Sequence, residues 1–164
     1  MTSSEQSANY GGLAGADAIC QKLASAIGAG NRTWRAYLST QERPGQPAVN
    51  ARDRIGKGPW HNVKGVQIAA NVDDLHGDIE RDRNYLFNET ALDEKGNQIP
   101  GRIRKQGEPN RHDILTGSTS RGLAYPPGED FTCNNWTSDG PGKARQGHSD
   151  RAGGGGKLYC FAAN

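Results

Sequence analysis

The chain has 164 residues, and 20 Lys and Arg against 18 Asp and Glu leave a formal net charge of +2. Leu, Ile, Val and Phe contribute only 24 residues, but the nearly balanced charge argues against disorder. No apolar run approaches the roughly 20 residues of a membrane-spanning helix, and the mixed charge signs argue against a general nucleic-acid surface. The sequence therefore predicts one loop-rich domain over residues 1–164 with a thin aliphatic core.

The clearest predicted element is a helix over residues 14–27. Apolar residues recur there every three or four positions, Cys20 lies on the apolar stripe, and Gly28 is placed to end the helix. A strand is predicted over residues 33–39, where large and small side chains alternate. A short helix is predicted over residues 49–55. Most of the predicted regular structure thus lies early in the chain.

The later part of the chain predicts short strands between polar loops. Trp60 is expected to anchor the core, residues 63–90 are ambiguous with a polar loop at 73–78, and residues 91–99 carry a hairpin signal. Further strands are predicted at 112–117, 135–137 and 157–162, with a flexible linker at 153–156.

This order of a helix followed by short strands favours an α+β fold with helices packed on antiparallel sheets. The long polar segments between the strands are suited to binding solvated ligands.

Three cysteines, Cys20, Cys133 and Cys160, are widely separated. They form no Cys-x-x-Cys pair, and the histidines lack the spacing of a His-Glu-x-x-His zinc motif. An odd number allows one disulfide and one free thiol, and spacing alone does not select the pair.

Two early segments, residues 11–20 and 33–40, resemble the opening of bacterial C-type-lectin-like domains and of the endostatin domain of collagens. Similar pieces follow in family order at residues 50–55, 58–60, 112–118, 133–137 and 158–161. The resemblance covers nearly the whole chain. It implies a C-type-lectin-like fold, in which two helices pack on small antiparallel sheets with long loops.

The resemblance also implies a disulfide pairing. In that family the helical cysteine bonds the cysteine of the last strand, which carries over to Cys20 and Cys160. A second pair lies within the loop region, and Cys133 matches its first member, but this chain has no partner for it. We therefore expect Cys133 to be a free thiol in the monomer.

The resemblance further implies a calcium-dependent sugar site. Sugar-binding lectins of this family hold calcium with Glu and Asn oxygens, and the ion takes six to eight oxygen ligands. Glu108-Pro109-Asn110 looks like the lectin Glu-Pro-Asn triplet, and Glu129-Asp130 looks like the acidic residues that follow this triplet in the family. Glu108, Asn110, Glu129 and Asp130 are the candidate ligands.

The chain departs from that pattern. About 18 residues separate the two motifs. The family's Trp-Asn-Asp triplet is absent, and residues 134–136 are similar residue types in a different order. The alternative is a structural loop in which Pro109 sets a turn and Asp130 caps it. Tyr125, beside two prolines, is a candidate exposed platform for stacking a sugar ring, whereas Trp34 and Trp136 are predicted to be core residues.

Catalysis is not favoured. His112-Asp113 and residues 148–150 could supply acid–base groups, but no nucleophile elbow, phosphate loop or metal-binding helix motif accompanies them. A sulfatase-maturing enzyme shares a related fold and uses paired cysteines, which the lone Cys133 does not reproduce.

The sequence therefore predicts a bacterial binding module that is secreted, periplasmic or displayed on the cell surface, with its signal peptide absent from this chain. The expected ligand is a glycan held by the loops between residues 104 and 155, with calcium as the one cofactor considered. The alternative is a protein-interaction or structural module of the same fold that binds neither sugar nor calcium. Neither a nucleic-acid partner nor a membrane span is expected, and an oligomer is compatible with the sequence.

Overall fold

A computed structural model describes residues 1–77, 84–101, 105–111, 114–140 and 156–164. In chain order the elements are α1 (Gly12–Ala26), β1 (Trp34–Ala36), α2 (Ala51–Arg54), β2 (Trp60–His61), β3 (Gln67–Ala69), α3 (Val72–His76), the one-turn α4 (Cys133–Trp136) and β4 (Cys160–Ala162). Strand β1 pairs antiparallel with β4, and β2 pairs antiparallel with β3. The predicted α+β class, with few helices and two small antiparallel sheets, is confirmed.

The predicted first helix is α1. Cys20 on its inner face is 1% exposed, and the chain leaves the helix through Gly28, whose φ of 80° suits glycine. The Gly28 N–H donates to the Ser25 carbonyl at 3.1 Å. Ile27, the last residue of the predicted helix, is 42% exposed, because the helix ends at Ala26 and Ile27 has already left the helical path.

The first and last strands are shorter than predicted, because the residues beyond the backbone bond from the Tyr37 N–H to the Tyr159 carbonyl take other partners. Past β1, the Ser39 N–H donates to the Thr116 carbonyl at 2.9 Å. Before β4, the Leu158 N–H donates to the Thr2 hydroxyl at 3.0 Å. The chain ends are therefore tied together beside the β1–β4 pair.

The predicted polar loop over residues 73–78 is wrong for its described part, where Asp73 to His76 belong to α3. The Asn71 side chain accepts the Asp74 N–H at 2.8 Å and caps the helix. Two carboxylates in the first turn suit the positive end of the helix dipole, and Gly77, with φ of 60°, ends it.

The other predicted elements have mixed outcomes. The short helix over 49–55 is α2, and the 91–99 hairpin forms around an isolated bridge between Leu92 and Gln98. Residues 114–117 form no strand, and residues 112–113 and 153–155 lie outside the described residues. The strand over 135–137 is wrong, because residues 135 and 136 belong to α4.

The core consists of two apolar clusters. One contains Tyr10, Ala16, Cys20, Ala36, Leu38, Leu115, Trp136 and Leu158. The other contains Ile55, Trp60, Ala69, Leu75 and Phe161. Because neighbouring residues of a strand face opposite sides, Ala36 and Tyr37 reach different clusters, and the β1–β4 pair separates the two.

Trp60 anchors the second cluster as predicted. It is 4% exposed, and its Nε1–H donates to the Ala162 carbonyl at 3.0 Å.

A disulfide joins Cys20 of α1 to Cys160 of β4, as the resemblance implied. A buried ionic link lies beside it in the same framework. The Asp17 carboxylate accepts from Arg35 at 2.6 Å, from Arg54 at 2.7 Å and from the Ala36 N–H at 2.9 Å. Asp17 thereby connects α1, β1 and α2.

None of the helices in the described parts of the chain is long and apolar enough to cross a membrane.

Candidate functional site

Among the residues that the structure describes, the most unusual backbone is that of α4, which is a left-handed turn. Its four residues, Cys133 to Trp136, have φ values of 48°, 57°, 51° and 68°. A left-handed conformation costs roughly 1–2 kcal/mol for an ordinary residue and least for Asn or Asp. Asn134 and Asn135 suit it, whereas Cys133 and Trp136 do not. The turn must therefore be stabilised by its neighbours.

Asp130 supplies part of that stabilisation. Its Oδ1 accepts the Thr132 N–H at 2.9 Å and the Thr132 hydroxyl at 2.8 Å. Its Oδ2 accepts the Asn134 N–H at 2.7 Å and pairs with the Arg43 guanidinium at 3.3 Å. Burial alone would raise the pKa of Asp130, but these hydrogen bonds and the Arg43 charge outweigh it and lower the pKa below its usual value.

Hydrogen bonds of Gln41 and Asn135 hold the turn against the first half of the chain. Gln41 is 3% exposed, and its amide donates to the Pro126 and Glu129 carbonyls at 2.9 Å each. The Gln41 Oε1 accepts the Phe131 N–H at 2.6 Å. The Asn135 amide bonds both the N–H and the carbonyl of Gln41, at 2.9 and 3.0 Å. Residues 126–135 are thus fixed without regular secondary structure.

Trp136 is a core residue, as predicted. It is fully buried, and its Nε1–H donates to the Ser39 carbonyl at 2.8 Å. A Cβ on Gly117 would lie 2.7 Å from the Trp136 ring, and Gly117 also has a positive φ of 59°. Glycine is therefore required where the Trp136 ring packs against the chain. Trp34 is only half-buried.

Cys133 is the free cysteine, as expected, and is half-buried. Burial and the nearby Asp130 carboxylate raise the pKa of its thiol. Burial and Cys133 likewise raise the pKa of Tyr10. Burial and the Asp130 charge both disfavour the Cys133 thiolate, which is the nucleophilic form of a cysteine.

A cleft of about 530 Å³ opens beside the left-handed turn. We call it the polar groove. The N-terminal end of α1 and Pro47 and Val49 border it. Its polar lining comes from two distant segments of the chain and consists of Thr40, Arg43, Gln46, Asn134, Asn135 and Thr137. The Asn135 amide is held by the Gln41 backbone. The other five side chains present hydroxyl, amide and guanidinium groups, which donate and accept hydrogen bonds in many directions.

The predicted calcium ligands have other surroundings. The Glu108 carboxylate accepts the Lys105 N–H at 3.1 Å within a local turn, and Asn110 and Glu129 are exposed. Asp130 caps the left-handed turn, which is the alternative role that the sequence left open. Across the residues that the structure describes, no three His, Cys, Asp or Glu side chains are placed to hold a metal ion. Calcium binding stays a prediction.

Tyr125, the candidate platform for stacking a sugar ring, packs beside Phe131, and its role in binding stays a prediction. It is half-buried, and its ring centroid lies 4.7 Å from that of Phe131 at a tilt of 52°. The candidate acid–base residues His112, Asp113 and 148–150 lie outside the described residues.

Sequence reasoning missed the contribution of residues 40–49 to the site. Bridges between Thr40 and Val49 and between Arg43 and Gln46 make this segment a small hairpin. The Pro44-Gly45 dipeptide is a local turn signal. However, no local signal places Arg43 and Gln46 opposite residues 134–137.

A scan against models of known protein families and a search of curated proteins both find no match to this chain.

Proposed function

We propose that this chain is an extracellular binding module of the C-type-lectin-like type and that its ligand is a glycan held in the polar groove. The observation that supports this proposal is the groove itself. Two segments about 90 positions apart in sequence meet there and present amides, hydroxyls and one guanidinium. A glycan offers many hydroxyl groups that both donate and accept hydrogen bonds, and these lining groups complement them.

The rigid left-handed turn favours a binding role. Its side-chain hydrogen bonds fix the groove wall before any ligand arrives, so binding costs less conformational entropy. Polar ligands gain little from apolar burial, and such preorganisation is important for their affinity.

The composition of the groove argues for binding rather than catalysis. Among the described residues that line it, Arg43 is the one charged side chain, and none is a carboxylate or an imidazole. General acid–base catalysis uses such groups to move protons. The raised pKa of the Cys133 thiol disfavours its nucleophilic thiolate form. The groove residues thus suit ligand recognition through hydrogen bonds.

We propose further that this recognition does not require calcium. Both oxygens of Asp130 already accept hydrogen bonds from the turn, and Oδ2 also faces Arg43. A calcium ion at this carboxylate would have to compete with these donors and with the Arg43 charge. Binding is therefore expected to persist in the presence of EDTA.

The test is a glycan array probed with the purified protein in EDTA and, separately, in calcium, followed by calorimetric titration of the best glycan. Gln46→Ala shortens a side chain of the groove wall and leaves the backbone bonds between Gln46 and Arg43 in place. Its affinity should fall roughly tenfold, which corresponds to about 1.4 kcal/mol. Glu42→Ala, an exposed change in the same segment but outside the groove, is the matched control.

Three results would overturn parts of the proposal. A blank array in both buffers would contradict glycan binding and favour the protein-interaction alternative. Binding that requires calcium would contradict the calcium-independent mode. Binding that Gln46→Ala and Glu42→Ala leave equally unchanged would show that the glycan binds outside the polar groove.

A further inference from the structure

A second cavity, of about 450 Å³, shares no lining residue with the polar groove. We call it the apolar cavity. The C-terminal half of α1, the β2–β3 hairpin, β4 and residues 86–94 surround it. The Cys20–Cys160 disulfide forms part of its wall, together with Leu23, Trp34, Trp60, Ile68, Leu92 and Phe161.

The size of the apolar cavity exceeds that of a simple packing defect. An engineered core cavity of about 150 Å³ already binds benzene, and small-molecule sites in proteins run from about 300 to 1,000 Å³. Ile27 and Val63 border the cavity and are 42% and 49% exposed. Exposed apolar side chains at its edge indicate that the cavity opens to solvent there.

The charged groups that border the cavity have partners within the protein, and the first is the Met1 ammonium, which donates to the Leu92 carbonyl at 2.8 Å. Arg32 donates to the Asn164 main-chain oxygen at 2.7 Å. The Asp93 carboxylate accepts the Lys95 and Asn97 N–H groups, and Glu94 accepts the Ser3 N–H at 2.8 Å.

The indole groups are engaged as well. The Trp34 Nε1–H donates to the Ala29 carbonyl at 2.8 Å, and the Trp60 Nε1–H donates to the Ala162 carbonyl. A charged ligand would lose hydration without gaining a partner from these groups, and this loss is costly. An apolar ligand would instead gain free energy in proportion to the apolar surface that it buries.

We propose that the apolar cavity is a second ligand site and that it binds an uncharged, mainly apolar molecule of about two to three rings. This site is independent of the glycan site. Its ligand is selected by shape and burial rather than by hydrogen bonds, because the polar wall groups named above already have protein partners.

The probe is N-phenyl-1-naphthylamine, an uncharged apolar dye that fluoresces when it leaves water. The native protein should bind it saturably at one site. Val63→Asp places a short charged side chain at the edge of the cavity and should weaken dye binding roughly tenfold. Val66→Asp lies in the same hairpin, starts from a similar exposure of 43%, and borders no part of the cavity. It should leave the affinity unchanged.

A second pair of variants fills the cavity instead of charging its edge. Ala24 is 4% exposed on α1 and lines the cavity, so Ala24→Leu occupies part of its volume. Ala18→Leu makes the same change on the exposed face of α1. Thermal melting is used to check that each variant is folded. Ala24→Leu should weaken dye binding, whereas Ala18→Leu should not.

Either of two results would overturn the proposal. One is the absence of saturable dye binding to the native protein. The other is dye binding that Val63→Asp and Ala24→Leu, both folded, leave unchanged. Equally tight binding of the sulfonated analogue 8-anilinonaphthalene-1-sulfonate would contradict the preference for an uncharged ligand.

Discussion

The framework of α1, β1 and β4 and the segment of residues 126–138 fix their backbones by different means. In the framework, apolar burial, a disulfide and the buried Asp17 stabilise ordinary helix and strand conformations. In the second region, polar side chains hold four consecutive residues at positive φ. The difference shows how a chain with few aliphatic residues can still present a rigid loop beside a cleft.

The largest effect is expected from removing the disulfide of the framework. Cys20→Ala combined with Cys160→Ala opens a covalent loop with a sequence separation of 140 residues. The chain-entropy model assigns such a cross-link roughly 4–5 kcal/mol. Urea denaturation should show a loss of this size, whereas Cys133→Ser should change the free energy of unfolding by less than about 1 kcal/mol. Equal stability of the double variant and the native protein would contradict the importance of the cross-link.

Asp17→Ala should rank next. It leaves the Arg54 guanidinium, whose side chain is 13% exposed, without its buried counter-charge. Breaking a buried ion pair in this way costs about 3–5 kcal/mol. Asp73→Ala breaks the exposed pair with Arg52 and should cost less than about 1 kcal/mol. Similar losses in the free energy of unfolding for the two variants would show that the buried Asp17 ion pairs stabilise the fold no more than an exposed pair does.

A smaller effect is expected when the second region loses Gln41. Gln41→Ala leaves the Pro126 and Glu129 carbonyls and the Phe131 N–H without their side-chain partner. The cost should be about 2–3 kcal/mol, with faster amide hydrogen exchange at Phe131. Gln46→Ala in the same hairpin should be nearly neutral for stability. Unchanged exchange at Phe131 would disprove the role of Gln41 in holding this segment.

The smallest effect concerns pH. The pKa of Asp130 is lower in the folded protein than in the unfolded chain. Its ionised carboxylate therefore contributes fully to the free energy of unfolding above the unfolded pKa of about 3.9, and this contribution is lost as the pH falls through the pKa of the folded state. More than a third of the side chain is exposed, so the contribution should stay below about 1 kcal/mol. The stability difference between the native protein and Asp130→Asn should shrink as pH falls below 4. A difference that grows on acidification would contradict this sign.

The framework was largely predictable because its signals are local. The apolar spacing around Cys20 and the glycine at position 28 predict α1. The resemblance implied the Cys20–Cys160 pair. Helix α3 was missed because the acidic residues Asp73 and Asp74 were interpreted as a loop. In the structure, Asn71 caps them at the start of a helix.

The candidate site was less predictable because its stabilising contacts are distant in sequence. The bonds between Gln41 and Asn135 span 94 positions, and no local pattern encodes a left-handed conformation for Cys133 or Trp136. Asp130 caps the left-handed turn, and its predicted role as a calcium ligand is untested. For Asp17, the available signal is a charged residue on the apolar face of α1, where it is buried.

The most direct test of the proposed function is the affinity of Asn134→Gly for the best glycan on the array. Glycine accepts the φ of 57° at this position, so stability should stay within about 1 kcal/mol of the native protein, while the amide that lines the polar groove is removed. We predict a roughly tenfold weaker calorimetric affinity with the fold intact. Native affinity in this folded variant would contradict recognition of the glycan at the left-handed turn.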